Sequence, residues 1–282
     1  MPHSARFCDL VGCRLPVQLA AMGVVGTTEL AAAVTESGGM GMVPGGVEPA
    51  PGACGVNFLM PFNPSDEMIA EAASKARVVE FFYDDPRRDV VDAAHGAGAL
   101  AGWQVGSAAE ARAAEECGCD YVVAQGFEAG GHVRGVQPLD QVLRETIEAV
   151  RIPVVAAGGV ATARRFAEVM RAGADAVRVG TRFVAAPESG AHPIYIQALL
   201  AARGDDTVIS EWFGAGWEHA PHRVLRAAQE AGERSGWRMP YPPHKDLDRD
   251  PTDMAMYAGM GVGHVVALEP AADVVADLVS ML

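Results

Sequence analysis

Residues 122–135 read VVAQGFEAGGHVRG, and between Gln125 and Arg134 they gather an amide, a carboxylate, an imidazole and a guanidinium. His132 follows Gly130 and Gly131, which have no side chains to shield its ring. An imidazole with its ordinary pKa of about 6.5 suits proton transfer or hydrogen bonding at neutral pH. A lone histidine is more often structural, but this one follows an apolar run in a small-residue loop, which favours a functional role. Glu128 either orients that ring or caps the segment that follows. Arg134 either attracts an anion or is solvated.

Two other stretches suit an anion. AAGGVATARR and VRVGTRF each run from an apolar segment into a glycine turn and then a helix start, at Gly158-Gly159 and Gly180-Thr181. Glycine lets backbone N–H groups approach a phosphate closely, and a helix N-terminus favours negative charge. Two such turns in succession imply a phosphate-bearing cofactor. Arg182 reads as structural, paired with a carboxylate such as Glu188. Three amides, Asn57, Gln104 and Gln125, stand at the ends of apolar runs, where an unpaired polar group is costly. A ligand rich in donors and acceptors would account for them.

The elements that must position these groups are short apolar runs at residues 16–20, 40–43, 55–60, 78–82, 99–104, 121–125, 153–157 and 176–180. They are continuous rather than alternating, as in strands buried on both faces. Helical segments separate most of them. Thr27 or Thr28 caps one, Pro64 and Ser65 open the next, Pro86 starts another and Ser107 caps a fourth, with two more at about 138–149 and 161–171. Eight βα units predict an α/β fold, a TIM (β/α)8 barrel with a small C-terminal cap. A doubly wound sheet is the runner-up, but no GxGxxG follows the first strand. The expected division is a barrel over 1–190, a cap rich in Trp, Pro, Gly and His over 191–250, and a segment over 251–282. Its final helix, with Val274, Val275, Leu278, Val279 and Leu282 on one face, closes the barrel.

The 282 residues carry a formal net charge of -14, which argues against a nucleic-acid grip. Five cysteines without framework spacing predict free thiols and a reducing, cytoplasmic setting. No run approaches the roughly 20 apolar residues of a membrane span, and the N-terminal segment lacks the apolar core of a leader. No metal site is expected. His219 and His222 are three apart, but Pro221 interrupts them and no carboxylate completes a set, so they read as cap residues. His192 reads as a turn residue before Pro193, and His95 as a cation at a helix C-terminus.

Taken in order, VQLAAMGVVGTTELAAAVTESGGMG, GVNF, VVAQGFEAGGHVRG, the stretch from PVVAAGGVATARR through GTRFVAAPESGAHPIY, and MYAGMGVG resemble the nitronate monooxygenases. The resemblance implies a TIM barrel holding FMN. It implies that Ala21, Met22 and Gly23 lie along the flavin and that Asn57, Gln104, Gln125 and Gly130 contact its ring or side chain. Gly158, Gly159, Gly180 and Thr181 would hold the phosphate, His132 would be the catalytic histidine, and residues 256–263 would return to the flavin edge. The chain departs from the family in a short connection between GVNF and VVEFF and in FFYDDP, so Tyr83, Asp84 and Asp85 change one wall.

Three functions follow as expectations. The first is oxidation of a nitronate or nitroalkane with O2 to a carbonyl compound and nitrite, with His132 as base or as hydrogen-bond partner of the nitro oxygens. The second is an NAD(P)H-dependent FMN reductase of the quinone reductase or enoyl-ACP reductase type. The third is a flavin-free phosphosugar isomerase or aldolase. Partners are limited to small molecules, and because barrels of this kind often pair, a homodimer is left open.

Overall fold

The computed structural model describes residues 3–282, with side chains from Ala5 onward. Met1 and Pro2, at the head of the segment read for a leader, lie outside the described residues. Helix α1 (His3–Val11) precedes eight parallel strands: β1 (Val17–Leu19), β2 (Gly41–Pro44), β3 (Cys54–Leu59), β4 (Val78–Phe82), β5 (Leu100–Val105), β6 (Tyr121–Gln125), β8 (Val154–Ala157) and β9 (Ala176–Val179). Their order around the sheet is β1-β9-β8-β6-β5-β4-β3-β2. The ring closes where β1 meets Met40. Leu19 N–H donates to the Met40 carbonyl at 2.9 Å, and Met40 N–H donates to the Val17 carbonyl at 2.8 Å. The fold is the expected (β/α)8 barrel.

Helices α2 (Thr28–Glu36), α3 (Asp66–Lys75), α4 (Arg88–Gly96), α5 (Ala108–Glu116), α6 (Leu139–Ala149) and α7 (Ala163–Arg171) cover the sheet. Four start on a hydroxyl cap. The side chains of Thr27, Ser65, Ser107 and Thr162 accept from the N–H of Leu30, Met68, Glu110 and Arg165 at 3.0, 3.3, 3.2 and 3.2 Å. Each cap satisfies an N–H that the helix cannot pair for itself. The helices therefore begin at defined residues, and so do the βα loops at the C-terminal ends of the strands.

After β9 come a short helix, α8 (Thr181–Val184), then α9 (Pro193–Ala201), β10 (Thr207–Ser210), β11 (His222–Leu225) and α10 (Arg226–Ser235). The composition of this region did not disclose α9 or α10, and α1 was also not anticipated. The decisive element is a second, antiparallel sheet of order β10-β11-β7, in which β7 is Gly131–His132. Registers pair His222 with His132 and Arg223 with Gly131. The loop that looked free in the sequence is thus an edge strand held by the cap.

Helix α11 (Ala271–Val279) packs against α2 and α7, burying Ala271, Val274, Val275 and Leu278. Leu282, expected on the same face, lies beyond the helix and is exposed. Arg182 ties this helix to the barrel through Glu269 and Asp277, both at 2.7 Å, and through the Ala161 carbonyl at 3.0 Å. Glu188 is not its partner. It accepts from Ala271 N–H at 3.2 Å and caps α11. Among the described residues, no helix is long and apolar enough to cross a membrane, and no cluster of metal-ligating side chains occurs.

Leu278 is fully buried, so Leu278→Ala is expected to cost about 2–5 kcal/mol in chemical denaturation. A cost under about 1 kcal/mol would separate α11 from the cooperative unit of the barrel.

Candidate active site

A cavity of about 450 Å³ opens at the C-terminal ends of the barrel strands, within the usual range of about 300–1,000 Å³ for ligand sites. The residues expected to act on substrate or hold the cofactor all line it: Ala21, Met22, Gly23, Asn57, Gln104, Gln125, Gly130, His132, Gly158, Gly159, Gly180 and Thr181, whereas Tyr83, Asp84 and Asp85, expected to change one wall, are not part of the lining. Beside them stand residues the sequence reading did not select, among them Arg178, Trp217 and Tyr241. From the returning segment come Tyr257, Gly259 and Gly261.

The floor is built from a charged pair. Glu80, in the middle of β4, is fully buried, and Arg178, in the middle of β9, is nearly so. The guanidinium donates to Glu80, to Gln18 at 2.9 Å and to Gln104 Oε1 at 2.6 Å. Tyr121 donates to Glu80 at 2.9 Å, and Asn57 Nδ2 donates to Glu80 Oε1 at 3.0 Å. Burial and the adjacent Glu80 carboxylate push the Tyr121 hydroxyl well above its ordinary pKa, so it stays protonated and donates. These bonds fix how the amides face. With Oε1 of Gln104 held by Arg178, its NH2 is the group left to meet a ligand. With Nδ2 of Asn57 held by Glu80, its carbonyl oxygen is left. The cavity is thus offered one donor and one acceptor from β5 and β3, the strands on either side of β4.

Gln125 behaves differently from the other two amides. Its Nε2 donates to the His132 carbonyl at 2.9 Å, and its Oε1 accepts from Arg134 N–H at 3.1 Å. It therefore holds the 125–134 loop in addition to lining the cavity. Glu128 takes the capping role, accepting from Leu139 N–H at the start of α6 at 3.0 and 3.1 Å. Arg134 is not aimed into the cavity: Glu110 at 3.0 Å and Asp85 at 2.8 Å take up its guanidinium, which stays partly open to solvent.

His132 is packed between aromatic rings. Trp217 stacks on it with centroids 3.8 Å apart and planes inclined by 29°. His222 meets it at 5.2 Å, and Tyr83 and Tyr257 at 5.8 Å. Burial, and then the neighbouring His222, hold its pKa down to about 3. The imidazole is therefore neutral across physiological pH, and among the described residues its buried Nδ1 finds no well-aligned hydrogen bond, with the Ala220 backbone only weakly opposing the shift. His222 is fully buried, and its Nδ1 is 3.0 Å from the Ala220 carbonyl. Tyr83, at the unusual FFYDDP corner, has a left-handed φ of 75°. A bulky residue adopts that conformation only where its surroundings impose it. Its edge contact with Trp217, at 4.7 Å, helps fix the indole over His132.

The glycine turns form a cradle. Gly158 and Gly159 have φ of 125° and 66°, which side-chain-bearing residues rarely adopt. A Cβ on Gly159 would lie 3.0 Å from Glu128 Cβ, and one on Gly130 would lie 2.6 Å from Gly259 N. Among the described residues, no backbone partner is found for the N–H groups of Gly158, Gly159, Val160, Gly180 or Thr181. Such successive free N–H groups suit an anion. The Thr181 hydroxyl accepts from Gly259 N–H at 3.0 Å, which brings the 256–263 segment to the cavity. Arg182 is committed to acids, so a phosphate here would be held by backbone dipoles rather than by a side-chain cation. Together with the donor and acceptor of the floor, the cradle fits a molecule that joins a phosphate to a flat polar ring.

The family model described as nitronate monooxygenase matches residues 52–280. A probable nitronate monooxygenase of Bacillus subtilis (strain 168) is 29% identical over 206 residues, covering 67% of this chain and 59% of that protein. The chain thus spans less than two thirds of that relative. FabK from Thermotoga maritima superposes with a TM-score of 0.85 at 27% identity, covering 98% of this chain and 95% of that one. A nitroalkane oxidase from Streptomyces ansochromogenes superposes with a TM-score of 0.78 at 31% identity, covering 98% and 97%.

The charged floor makes a prediction of opposite signs. Arg178→Met leaves Glu80 buried without its counter-charge and is expected to cost about 3–5 kcal/mol in urea denaturation. Adding Glu80→Leu to that variant should restore more than half of the loss. If the double variant is as unstable as the single one, the pair is not the source of the cost.

Proposed function

Because the chain belongs to the nitronate monooxygenase family, we propose that it binds FMN and oxidises alkyl nitronates with O2 to a carbonyl compound and nitrite. One observation carries this reading: a glycine cradle with free N–H groups and a neutral, aromatic-packed imidazole line the same cavity. In this reading the barrel, residues 1–190, supplies most FMN contacts. The cap, residues 191–250, covers the site through Trp217 and Tyr241, and the closing segment, residues 251–282, returns Tyr257, Gly259 and Gly261 to it.

The N–H groups of Gly158, Gly159, Gly180 and Thr181 would hold the FMN phosphate. The left-handed turn at Met22 and Gly23, with φ of 54° and 55°, would run along the ring beside Ala21. Gln104 NH2 and the Asn57 carbonyl would meet the ring's polar edge, with Gly130 leaving room above. When bound, FMN supplies the electron-transfer chemistry that side chains lack.

The remaining work falls to His132. A nitronate has already lost its α-proton and carries negative charge on its nitro oxygens. A neutral imidazole N–H can donate a hydrogen bond to that charge, and in a dry aromatic pocket such a bond is worth more than in water. The depressed pKa makes the same ring a poor base toward a neutral nitroalkane. Trp217 and Tyr257 pack around the ring and limit water there. His132 therefore binds and orients a preformed anion rather than creating one.

A second reading, an NAD(P)H-dependent FMN reductase in which His132 assists a carbonyl or enolate oxygen, draws on the likeness to FabK. Against it, Arg178 is the one Lys or Arg lining the cavity among the described residues, and it is committed to Glu80. The dinucleotide's phosphates would find no free cation.

Two results test the first reading. His132→Ala should keep its FMN and lose roughly 10²-fold or more in kcat/KM on a preformed nitronate, read as nitrite release. Loss of the FMN instead would make His132 a structural residue. Since its pKa is held down to about 3, wild-type kcat/KM on the nitronate should show no acid limb from His132 between about pH 5 and 8. A limb near pH 6.5 that disappears in His132→Ala would contradict the neutral-donor role.

A further inference from the structure

The mouth of the cavity is uncharged in a chain of net charge -14. Among the described residues its lining includes no Asp, Glu or Lys, and its one arginine is turned to the floor. Four large apolar side chains that line it are nevertheless exposed: Val24 at 48%, Phe62 at 58%, Met68 at 49% and Tyr241 at 49%. Single exposed apolar residues are ordinary, but several around one opening mark a binding surface.

These residues continue a path that starts at His132. Trp217 stacks on the imidazole, and Phe62 meets Trp217 edge-on at 5.4 Å with planes at 73°. Phe62 is held outward by its turn. Pro61 lies in the turn Met60–Phe62, and Asn63 closes it with φ of 47° and an N–H bond to the Met60 carbonyl at 2.9 Å. Asparagine tolerates this left-handed conformation better than most residues. Met68 follows in the first turn of α3, so the short connection after β3 supplies half of the four.

Given the nitronate reading on which this rests, we infer that the substrate is a nitronate with a long linear alkyl chain. Its charged head lies at His132, and its chain runs over Trp217 and Phe62 to a mouth formed by Val24, Met68 and Tyr241. Each methylene that leaves water along this path adds affinity. A small nitronate would leave the path and its mouth wet.

The test uses the holoenzyme and nitronates of linear 1-nitroalkanes from roughly two to ten carbons, whose kcat/KM should rise about fourfold per added methylene over the first several. Phe62→Ser and Met68→Ser should flatten that rise, losing at least about tenfold more on the longest substrate than on the shortest. Calorimetry with linear alkanoates of the same lengths, planar anions that are not turned over, gives a readout independent of oxidation. If alkanoate affinity climbs with length while no nitronate is oxidised, the chain site stands and the oxidation reading falls. Values flat with length, or falling beyond about four carbons, overturn the inference. So does a dimer that dissociates in Phe62→Ser while the chain-length dependence is unchanged, because the mouth would then be covered by a second copy.

Discussion

Glu80 and Arg178 face each other in the interior of the barrel, where neither charge would survive alone. Removing an ion from water costs several kcal/mol, which direct contact and further hydrogen bonds must offset. Here the offset comes from Gln18, Gln104, Tyr121 and Asn57, which stand on four other strands of the barrel. Satisfying the pair therefore dictates side-chain orientation across six of the eight strands. The donor and acceptor shown to the cavity are by-products of that requirement. A polar network of this kind is either complete or very costly, so the floor of the site is rigid.

The roof depends on the floor through one loop. Gln125 ends β6 and bonds the loop at the His132 carbonyl and the Arg134 N–H. From the other side, β11 pairs with Gly131 and His132. Glu128 anchors the same loop to α6, and its carbonyl accepts from Met260 N–H at 2.9 Å. His132 is thus fixed by the barrel, the cap and the returning segment together. Trp217 from the cap then sets the environment that keeps the ring neutral.

Features that depend on neighbours in the chain were legible in the sequence. The eight apolar runs became the eight barrel strands, and the caps at Thr27, Ser65 and Ser107 sit where their hydroxyls precede the helices. The site residues read from the sequence line one cavity because strand ends and glycine turns are local signals that a barrel gathers at one face. Long-range pairing was not legible. Glu80 and Arg178 are 98 positions apart, and each looked like a lone charge in an apolar run. That oddity in VVEFF and AVRVG was the available signal, since a charge in the middle of a buried strand demands a partner. The pairing of Gly131–His132 with the cap had no local trace, because two residues carry no strand periodicity. Glu188 had a plausible partner in Arg182 but caps α11 instead, Glu128 takes the capping role that was one of its two readings, and Arg134 pairs with Glu110 and Asp85, which its reading did not name.

In the proposed function, an anionic nitronate held by neutral His132 is the electron donor at this site. Anaerobic mixing of the FMN-loaded protein tests it most directly, with alkyl nitronate in one sample and NADH or NADPH in another. Rapid bleaching of the flavin absorbance by the nitronate is expected, and a persistent oxidised spectrum with either nicotinamide. Rapid bleaching by NADH or NADPH with no response to nitronates would contradict it.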